Sequence, residues 1–290
     1  MITVEGLVKR YGNVQAVDGV DFTVDTGEVF GLVGPNGAGK TSTLKTIAGL
    51  VEPTAGSVTV NGYDASDPAM RKTLGYLPEE SPLYEEMTPL GYLHFFADLY
   101  DVPRPVAEDR IERALDRLDL EARDRPVGDF SKGMKRKVAI ARSLVNDPEV
   151  LVYDEPASGL DPATTHTVVE FTRELASDGK TVLFSAHDLY HVESVCDRVA
   201  IMRDGTVAAG GTLDEIRDRH GTIEYRVYTD VQLDRAEQVG DRWESRVGSM
   251  DAVEAVRERA NEAGGRVTDI RTDESTLEDL FLEITGRGPR

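Results

Sequence analysis

Cysteine, lysine and long apolar runs are scarce in this chain, and each shortage excludes a class of protein. Cys196 is the single cysteine among 290 residues, so an internal disulfide is excluded and a reducing cytosol fits. The chain has no apolar run of the roughly 18 residues that a membrane-spanning helix requires. Residues 1–5 begin at once with the alternation of a strand, so we expect no signal peptide. The length is enough for one large domain and a small one.

Positive charge is also scarce. Of the 33 basic residues only 8 are lysine, against 53 acidic residues, and the formal net charge is −20. The acidic residues are dispersed along the chain, which indicates a protein from a very salty cytoplasm, where counterions screen the self-repulsion. An ordinary acidic soluble protein is the alternative. In both cases the charge argues against a nucleic-acid partner.

Glycine is concentrated in one octapeptide that fits the pattern G-x-x-x-x-G-K-[ST]. It consists of Gly34, Pro35, Asn36, Gly37, Ala38, Gly39, Lys40 and Thr41. Residues 28–33 predict a buried strand before it, and residues 43–50 predict a helix after it. A strand, a glycine-rich turn and a helix start direct backbone N–H groups at a polyphosphate. We expect Lys40 to reach the β- and γ-phosphates and Thr41 to place its hydroxyl on Mg²⁺. A glycine-rich turn with an exposed lysine is the alternative.

A second group of candidate residues follows two further apolar strands. Asp154 and Glu155 follow residues 150–153, at the sheet end where α/β folds bind ligands. Asp154 is expected to hold Mg²⁺, and Glu155 to polarise the water that attacks the γ-phosphate. His187 follows residues 181–185 and is a candidate donor to the γ-phosphate or to that water. Alone, the acids could be a solvated strand end and the histidine a surface residue.

Strands that alternate with helices predict an α/β fold with a mainly parallel sheet, covered on both faces. Residues 1–30 predict short strands joined by turns, and residues 82–148 are mainly helical in pattern. The composition shifts near residues 219–221, so we predict domains at 1–219 and 220–290. The tail predicts two strands, 223–228 and 267–270, and two helices, of which the first covers 251–263. The last helix should open with a capping box from Ser275 to Glu278.

The order and spacing of these motifs resemble the ATP-binding subunit of an ABC transporter, over roughly residues 1–219. The resemblance implies that Ser42 completes the phosphate loop and that His187 is the switch histidine. It also implies that Asp161 belongs to a segment that runs between two cassettes across their interface. Tyr11 corresponds to the aromatic residue that stacks on adenine, although an ordinary turn tyrosine is the alternative.

Two motifs depart from the usual family pattern. The family's Leu-Ser-Gly-Gly-Gln is matched here only at Ser131 and Gly133, and Lys132 either adds positive charge at the phosphate or points to solvent. The Ser-Lys-Gly-Met form resembles the two-component exporters whose membrane half is a separate chain. Glu79 stands where the family has a glutamine that senses Mg²⁺ and water. A carboxylate can still ligate Mg²⁺, but it cannot donate a hydrogen bond unless it is protonated. An acidic surface loop is the alternative for Glu79.

The resemblance implies a P-loop NTPase cassette with an N-terminal antiparallel β subdomain and a helical subdomain. The tail from Gly221 resembles the small C-terminal α+β domain of the same exporter subunits. It implies an Mg²⁺-dependent ATPase that lies in the cytoplasm at the inner face of the membrane and powers an exporter. Its partners would be a separately encoded polytopic permease, contacted through residues 79–100, and a second copy of the chain. In that head-to-tail dimer each ATP lies between Lys40 of one chain and Ser131 of the other.

Two other functions are possible for such a cassette. The first is a soluble mechanical ATPase that acts on chromosomes or ribosomes. ATPases of this kind that act on chromosomes contain long coiled coils, and this chain has no sustained heptads. Those that act on ribosomes usually carry two cassettes in one chain, and this chain has one. The second is a catalytically inactive regulatory cassette, against which the presence of Lys40, Asp154 and Glu155 argues.

The charge pattern predicts a dependence on salt. Stability and ATPase activity should rise from dilute buffer to molar KCl, because screening removes repulsion between carboxylates. Thermal unfolding and turnover measured across a KCl series test this expectation. Equal melting temperatures in dilute buffer and in molar KCl would contradict it.

Overall fold

The computed structural model describes residues 1–186, 189–221, 223–274 and 276–286. The chain divides into two compact units, Met1–Leu213 and Asp214–Arg290. The boundary predicted at 219/220 falls at the far end of the helix Leu213–His220, which begins at this division.

The elements of the first unit follow one another as short strands, then helices, then strands that alternate with helices. The strands are β1 (Ile2–Tyr11), β2 (Val14–Val24), β3 (Val29–Val33), β4 (Ala55–Val60), β5 (Tyr63–Asp64), β6 (Leu74–Leu77), β7 (Val150–Tyr153), β8 (Thr181–Ala186), β9 (Arg198–Arg203) and β10 (Thr206–Gly211). The helices are α1 (Lys40–Ile47), α2 (Pro89–Leu99), α3 (Arg104–Arg117), α4 (Lys132–Ser143), α5 (Pro162–Ser177) and α6 (Leu189–Val195), followed by α7 (Leu213–His220) at the division.

The central sheet has the strand order β10-β9-β3-β8-β7-β6. Neighbours from β9 to β6 pair in parallel, and β10 adds an antiparallel edge. Every residue of β3, β7 and β8 is buried, as expected for apolar strands covered on both faces. The mainly parallel sheet predicted from the sequence is therefore confirmed. Its parallel strands end at one edge, where the residues that follow them come together.

A second sheet, with the order β2-β1-β4-β5, is antiparallel and forms the N-terminal β subdomain. Its inward residues belong to the same apolar cluster as Leu44 and Ile47 of α1 and Val152 of β7. The first helix is thus packed between the two sheets, and this packing fixes the direction in which its N-terminus points.

The region 82–148 contains α2, α3 and α4, so the predicted helical subdomain is confirmed. On α3, Ile111 and Leu115 are four residues apart and both are buried, as in a helix with one face toward the core. Helix α4 begins after Ser131, whose Oγ accepts a hydrogen bond from the Met134 N–H at 3.2 Å. In the described ranges, we find no helix with the length and apolar character needed to cross a bilayer.

The second unit is a small α+β domain. Its elements are β11 (Ile223–Thr229), β12 (Glu237–Val239), β13 (Arg242–Val247), α8 (Met250–Glu262), β14 (Val267–Glu274) and α9 (Leu277–Ile284). The strands form an antiparallel sheet of order β12-β13-β11-β14. Its core joins Val227 of β11 to Val253, Val256 and Ala260 of α8.

Two predictions about this unit were wrong. Strands β12 and β13 were not predicted, because charged residues alternate along β13 and weaken its apolar signal. The capping box at α9 joins Thr276 to Asp279, one residue later than predicted, and Ser275 lies outside the described residues. The backbone N–H of Asp279 donates to Thr276 Oγ1 at 3.2 Å, and the Asp279 carboxylate accepts from the Thr276 N–H at 2.9 Å.

Removal of the second unit is expected to leave nucleotide binding largely intact, because that unit has its own core. A chain that ends after His220 should bind ATP with nearly the affinity of the full chain. Calorimetric titration of both proteins, with circular dichroism to verify folding, tests this expectation. Loss of binding in a truncated protein that still folds would show that the tail supports the site.

Candidate ATP-binding site

The phosphate loop, residues 34–41, connects the end of β3 to the start of α1. Gly39 is the N-cap of α1 with φ 103°, a left-handed conformation that favours glycine. A Cβ on Gly39 would lie 2.4 Å from the carbonyl oxygen of Ala16, and one on Gly34 would lie 2.6 Å from that of Met202. Neither contact is tolerable, so both positions require glycine. The backbones of β2 and β9 therefore hold the loop from either side.

Lys40 is the first residue of α1 and is only 6% exposed. Its Nζ donates a hydrogen bond to the carbonyl of Gly34 at 2.6 Å, and the carbonyl of Pro35 lies 3.4 Å away. The same Nζ is 3.6 Å from Glu155 Oε1. A buried ammonium at a helix N-terminus, inside a glycine-rich loop, is a favourable place for a phosphate oxygen. The alternative of an exposed lysine on a simple turn is wrong.

The phosphate loop lines a cavity of about 480 Å³. The described residues around it are Val14, Gln15, Ala16, Pro35, Asn36, Gly37, Ala38, Gly39, Lys40, Thr41, Ser42, Glu79 and Glu155. Two acidic residues from the ends of different strands, β6 and β7, thus reach the phosphate loop. Tyr11, Ser131 and Gly133 are not among the described residues that line this cavity.

Asp154 is buried directly after β7, with 1% of its surface exposed. Its Oδ1 accepts a hydrogen bond from Ser185 Oγ at 2.6 Å, and that same Oγ accepts from the backbone N–H of Glu155 at 2.9 Å. Within the part of the chain that the structure describes, Asp154 Oδ2 is buried with no hydrogen-bond partner. One carboxylate oxygen is therefore fixed by β8, and the other is available to a metal ion or to its water.

The oxygens present fit Mg²⁺. Thr41 supplies a hydroxyl, Asp154 a buried carboxylate oxygen, and Glu79 a second carboxylate at the cavity. In the described ranges, no three or more His, Cys, Asp or Glu side chains form a metal cluster. Mg²⁺ is usually held by one or two carboxylates with substrate phosphates, and not by an all-protein cage. These residues would therefore hold the ion together with the phosphates of ATP.

The segment around Ser131 begins helix α4. Ser131 is exposed at the N-terminus of α4, where helix N–H groups favour an anion. A Cβ on Gly133 would lie 2.9 Å from the Thr164 side chain, so this glycine allows close packing against α5. Lys132 Nζ lies against Gly159, 2.4 Å from the point that a Cβ would occupy. The Lys132 side chain therefore covers the segment that leads to Asp161.

Three further residues were predicted to belong to the site: Asp161, Tyr11 and His187. Asp161 caps α5: its carboxylate accepts from the N–H and the hydroxyl of Thr164, at 3.0 and 2.6 Å. These hydrogen bonds hold the pKa of Asp161 below its ordinary value. Tyr11, at the end of β1, is 45% exposed and pairs with Val14, which lines the cavity. His187 lies outside the described residues, immediately after the end of β8.

Sequence reasoning missed two residues. Ser185 has a detectable signal, because it is the hydroxyl that follows four apolar or β-branched residues near the end of β8. Arg136 donates hydrogen bonds to the carbonyls of Asp154 and Glu155, at 2.9 and 2.8 Å. In the sequence it is one of three consecutive basic residues, and nothing there distinguishes the buried one.

Comparison with known proteins identifies the family of this chain. The ABC transporter family profile matches residues 17–158. The daunorubicin resistance ATP-binding protein DrrA3 of Streptomyces coeruleorubidus is 35% identical, over 98% of this chain and 96% of that protein. The Nod factor export ATP-binding protein I of Ralstonia nicotianae is 34% identical, over 100% of this chain and 95% of that protein.

A solved structure shares both the fold and part of the sequence. The dimeric bacterial ABC transporter cassette MJ0796 superposes with a TM-score of 0.68 at 26% identity, and the match covers 73% of this chain and 99% of that one. The first unit therefore has the fold of an ABC-type P-loop ATPase. With relatives matched along nearly their whole length, this chain belongs to the ATP-binding proteins of the ABC transporter family.

Proposed function

We propose that this chain is the ATP-hydrolysing subunit of a membrane exporter and that it requires Mg²⁺. The observation that carries the proposal is the meeting of Lys40 and Glu155, 3.6 Å apart, in the cavity lined by the phosphate loop and Glu79. A buried cation and a carboxylate at a helix N-terminus suit the attack of water on a terminal phosphate. The full-length relatives are named for drug resistance and for Nod factor export, which supports export.

In hydrolysis, the N-terminus of α1 and Lys40 bind the β- and γ-phosphates and stabilise the charge that develops on them. The Glu155 carboxylate accepts a proton from the attacking water and orients the water oxygen toward phosphorus. Ser185 keeps Glu155 in place through the hydrogen bond to its backbone N–H. Thr41, Asp154 and Glu79 would hold Mg²⁺, which neutralises phosphate charge when it is bound.

A second copy of the chain would complete each site. Ser131 is exposed at the N-terminus of a 12-residue helix and does not line the cavity of its own chain. A helix terminus of this kind donates to an anion supplied by another molecule. The related cassette MJ0796 forms a dimer. We therefore infer a head-to-tail pair in which each ATP contacts Lys40 of one copy and Ser131 of the other.

The membrane partner would be a separately encoded polytopic permease. An exposed aromatic patch, formed by Tyr84 and Phe95, supports this inference: the two rings are 57% and 40% exposed. They pack edge to face with centroids 5.9 Å apart, and Leu99, on the same helix as Phe95, is 63% exposed. Exposed apolar groups that cluster together often mark a protein interface. Docking here would hold the chain in the cytoplasm at the inner face of the membrane.

A soluble mechanical ATPase remains the second candidate. Chromosome-type relatives need long coiled-coil arms, but among the described helices the longest is α5, with 16 residues. The net charge of −20 disfavours a nucleic-acid surface. Recovery of the chain with the membrane fraction and with a polytopic protein would favour the exporter. Recovery with ribosomes or chromatin would favour the mechanical ATPase.

Replacement of Glu155 by Gln should separate binding from hydrolysis. The amide keeps the size and most of the hydrogen bonding but cannot accept the proton. We expect Glu155→Gln to bind MgATP, to lose turnover by about a hundredfold or more, and to accumulate as a closed homodimer. Light scattering with MgATP in suitable salt measures the dimer. Adding Ser131→Arg should abolish it, because the larger side chain crowds the γ-phosphate of the partner.

Glu149→Gln is the matched control, since Glu149 is exposed and precedes the opposite end of the same strand, β7. It should leave turnover unchanged. A Glu155→Gln protein that hydrolyses ATP at the wild-type rate would exclude Glu155 as the base. One that stays monomeric with saturating MgATP would argue against the two-chain site. A dimer that forms only with the membrane subunit would keep the site but require the complex for the test.

Replacement of Glu79 tests its predicted role toward the metal. Glu79→Ala should raise the Mg²⁺ concentration that gives half-maximal turnover, because one carboxylate is removed from the cavity. ATP affinity without metal should stay similar. Glu80→Ala is the control, since Glu80 is not among the described residues that line that cavity. Titration of turnover with Mg²⁺ measures both variants. Identical curves for Glu79→Ala and wild type would assign Glu79 to the solvated surface.

A further inference from the structure

Helix α4 carries an arginine that is buried among backbone carbonyls. Arg136 is 7% exposed. Burial lowers the pKa of its guanidinium to about 10, so the group remains charged at neutral pH. A buried cation is costly unless hydrogen bonds compensate for the lost water. The hydrogen-bond partners of Arg136 therefore determine whether its burial is favourable.

Every nitrogen of this guanidinium donates to the main chain. Nε donates to the carbonyl of Pro156 at 2.8 Å. Nη2 donates to the carbonyls of Asp154 and Glu155 at 2.9 and 2.8 Å. Nη1 donates to the carbonyls of Pro78 and Glu79 at 2.6 and 3.0 Å. These five carbonyls equal in number the five N–H groups of an arginine, and Ser81 Oγ lies 3.4 Å from Nη1.

The acceptors belong to two segments that both reach the candidate ATP site. Residues 154–156 follow β7 and carry the two acids, while residues 78 and 79 follow β6 and carry the predicted Mg²⁺ residue. Neither segment is a helix or a strand, so the sheet does not fix its carbonyls. Glu155 also has φ 49°, a left-handed conformation that is unfavourable for a residue with a Cβ. Such a conformation persists only when its surroundings impose it.

We propose that Arg136 is a positioning residue for ATP hydrolysis: it fixes the loops of Glu79 and Glu155 relative to each other and to helix α4. The N-cap of the same helix is Ser131, five residues earlier. The proposal rests on the proposed function, because it assumes that the chain hydrolyses ATP. Arg136 is not among the described residues that line the phosphate-loop cavity, so it is assigned no contact with ATP. It follows that Arg136 affects turnover and the response to Mg²⁺, and not the binding of the nucleotide.

Arg136→Lys is the decisive variant, because lysine keeps the charge but has three donors on one nitrogen and no planar fork. A lysine at position 136 cannot donate hydrogen bonds to residues 78–79 and to residues 154–156 at the same time. We expect kcat to fall about ten- to a hundredfold, the effect of a displacement near 1 Å in a catalytic group. ATP affinity should change by less than about twofold. The Mg²⁺ concentration for half-maximal turnover should rise.

Arg142→Lys is the matched control on the same helix. Arg142 Nη1 donates to Tyr92 Oη at 3.2 Å, and its guanidinium lies 5.4 Å from the Phe96 ring centroid, so it serves the packing of α2. Turnover should stay at the wild-type level in this variant. Light scattering separates a positioning role from a loss of folding. The double variant Glu155→Gln/Arg136→Lys should still dimerise with MgATP, because Lys40 and Ser131 are intact. An unfolded protein would not dimerise.

Wild-type kcat in Arg136→Lys would overturn the proposal and leave the proposed function untouched. Loss of ATP affinity together with kcat would overturn it as well, since Arg136 would then support the whole fold. If the lysine variant unfolds, Arg136→Gln is measured by the same criteria at the salt concentration where it folds. A wild-type protein that binds MgATP without hydrolysing it would overturn the proposed function, and this inference with it.

Discussion

Parallel pairing of the central strands is the constraint on which the site depends. The register sets Leu77 beside Tyr153, Tyr153 beside Phe184, and Val33 beside Ala186. Strands that run in one direction end at one edge, so the residues that follow β3, β6 and β7 meet although they are far apart in the chain. Helices on both faces bury these strands, and the resulting rigidity allows loops at the edge to hold polar groups at defined distances.

The second requirement is that buried polar groups at this edge find partners. Ser185 bridges Asp154 Oδ1 and the N–H of Glu155, so one hydroxyl fixes both acids. Arg136 satisfies the carbonyls of the same two residues from the opposite side. An unsatisfied buried group costs about 1–3 kcal/mol, so either loss would release the backbone at Glu155. The left-handed conformation of Glu155 is therefore maintained by hydrogen bonds from β8 and α4, and not by its own sequence.

Local patterns were enough to predict most of the first unit. Strand β7 has the bounds that its apolar run predicted, and the helical pattern of residues 82–148 corresponds to α2, α3 and α4. Sequence patterns failed to predict an element or a role where the stabilising contact comes from residues far away in the chain, or where the apolar pattern is weak. The short edge strand β10 contains four small residues, Ala208, Ala209, Gly210 and Gly211, and has no apolar run. Arg136 could not be separated from Lys135 and Lys137, because its role arises only when β6 and β7 pair side by side.

The loop that carries Glu79 is held through its backbone. The Glu79 carbonyl is held by Arg136, so the backbone path of this loop does not depend on the side chain. Compared with the glutamine of the usual family pattern, a glutamate side chain changes the charge and lacks a hydrogen-bond donor. It keeps an oxygen that can ligate a metal. Three carboxylates, from Glu79, Asp154 and Glu155, stand near two cations, Lys40 and Arg136. We propose that a divalent cation balances part of the negative charge that a bound nucleotide would add.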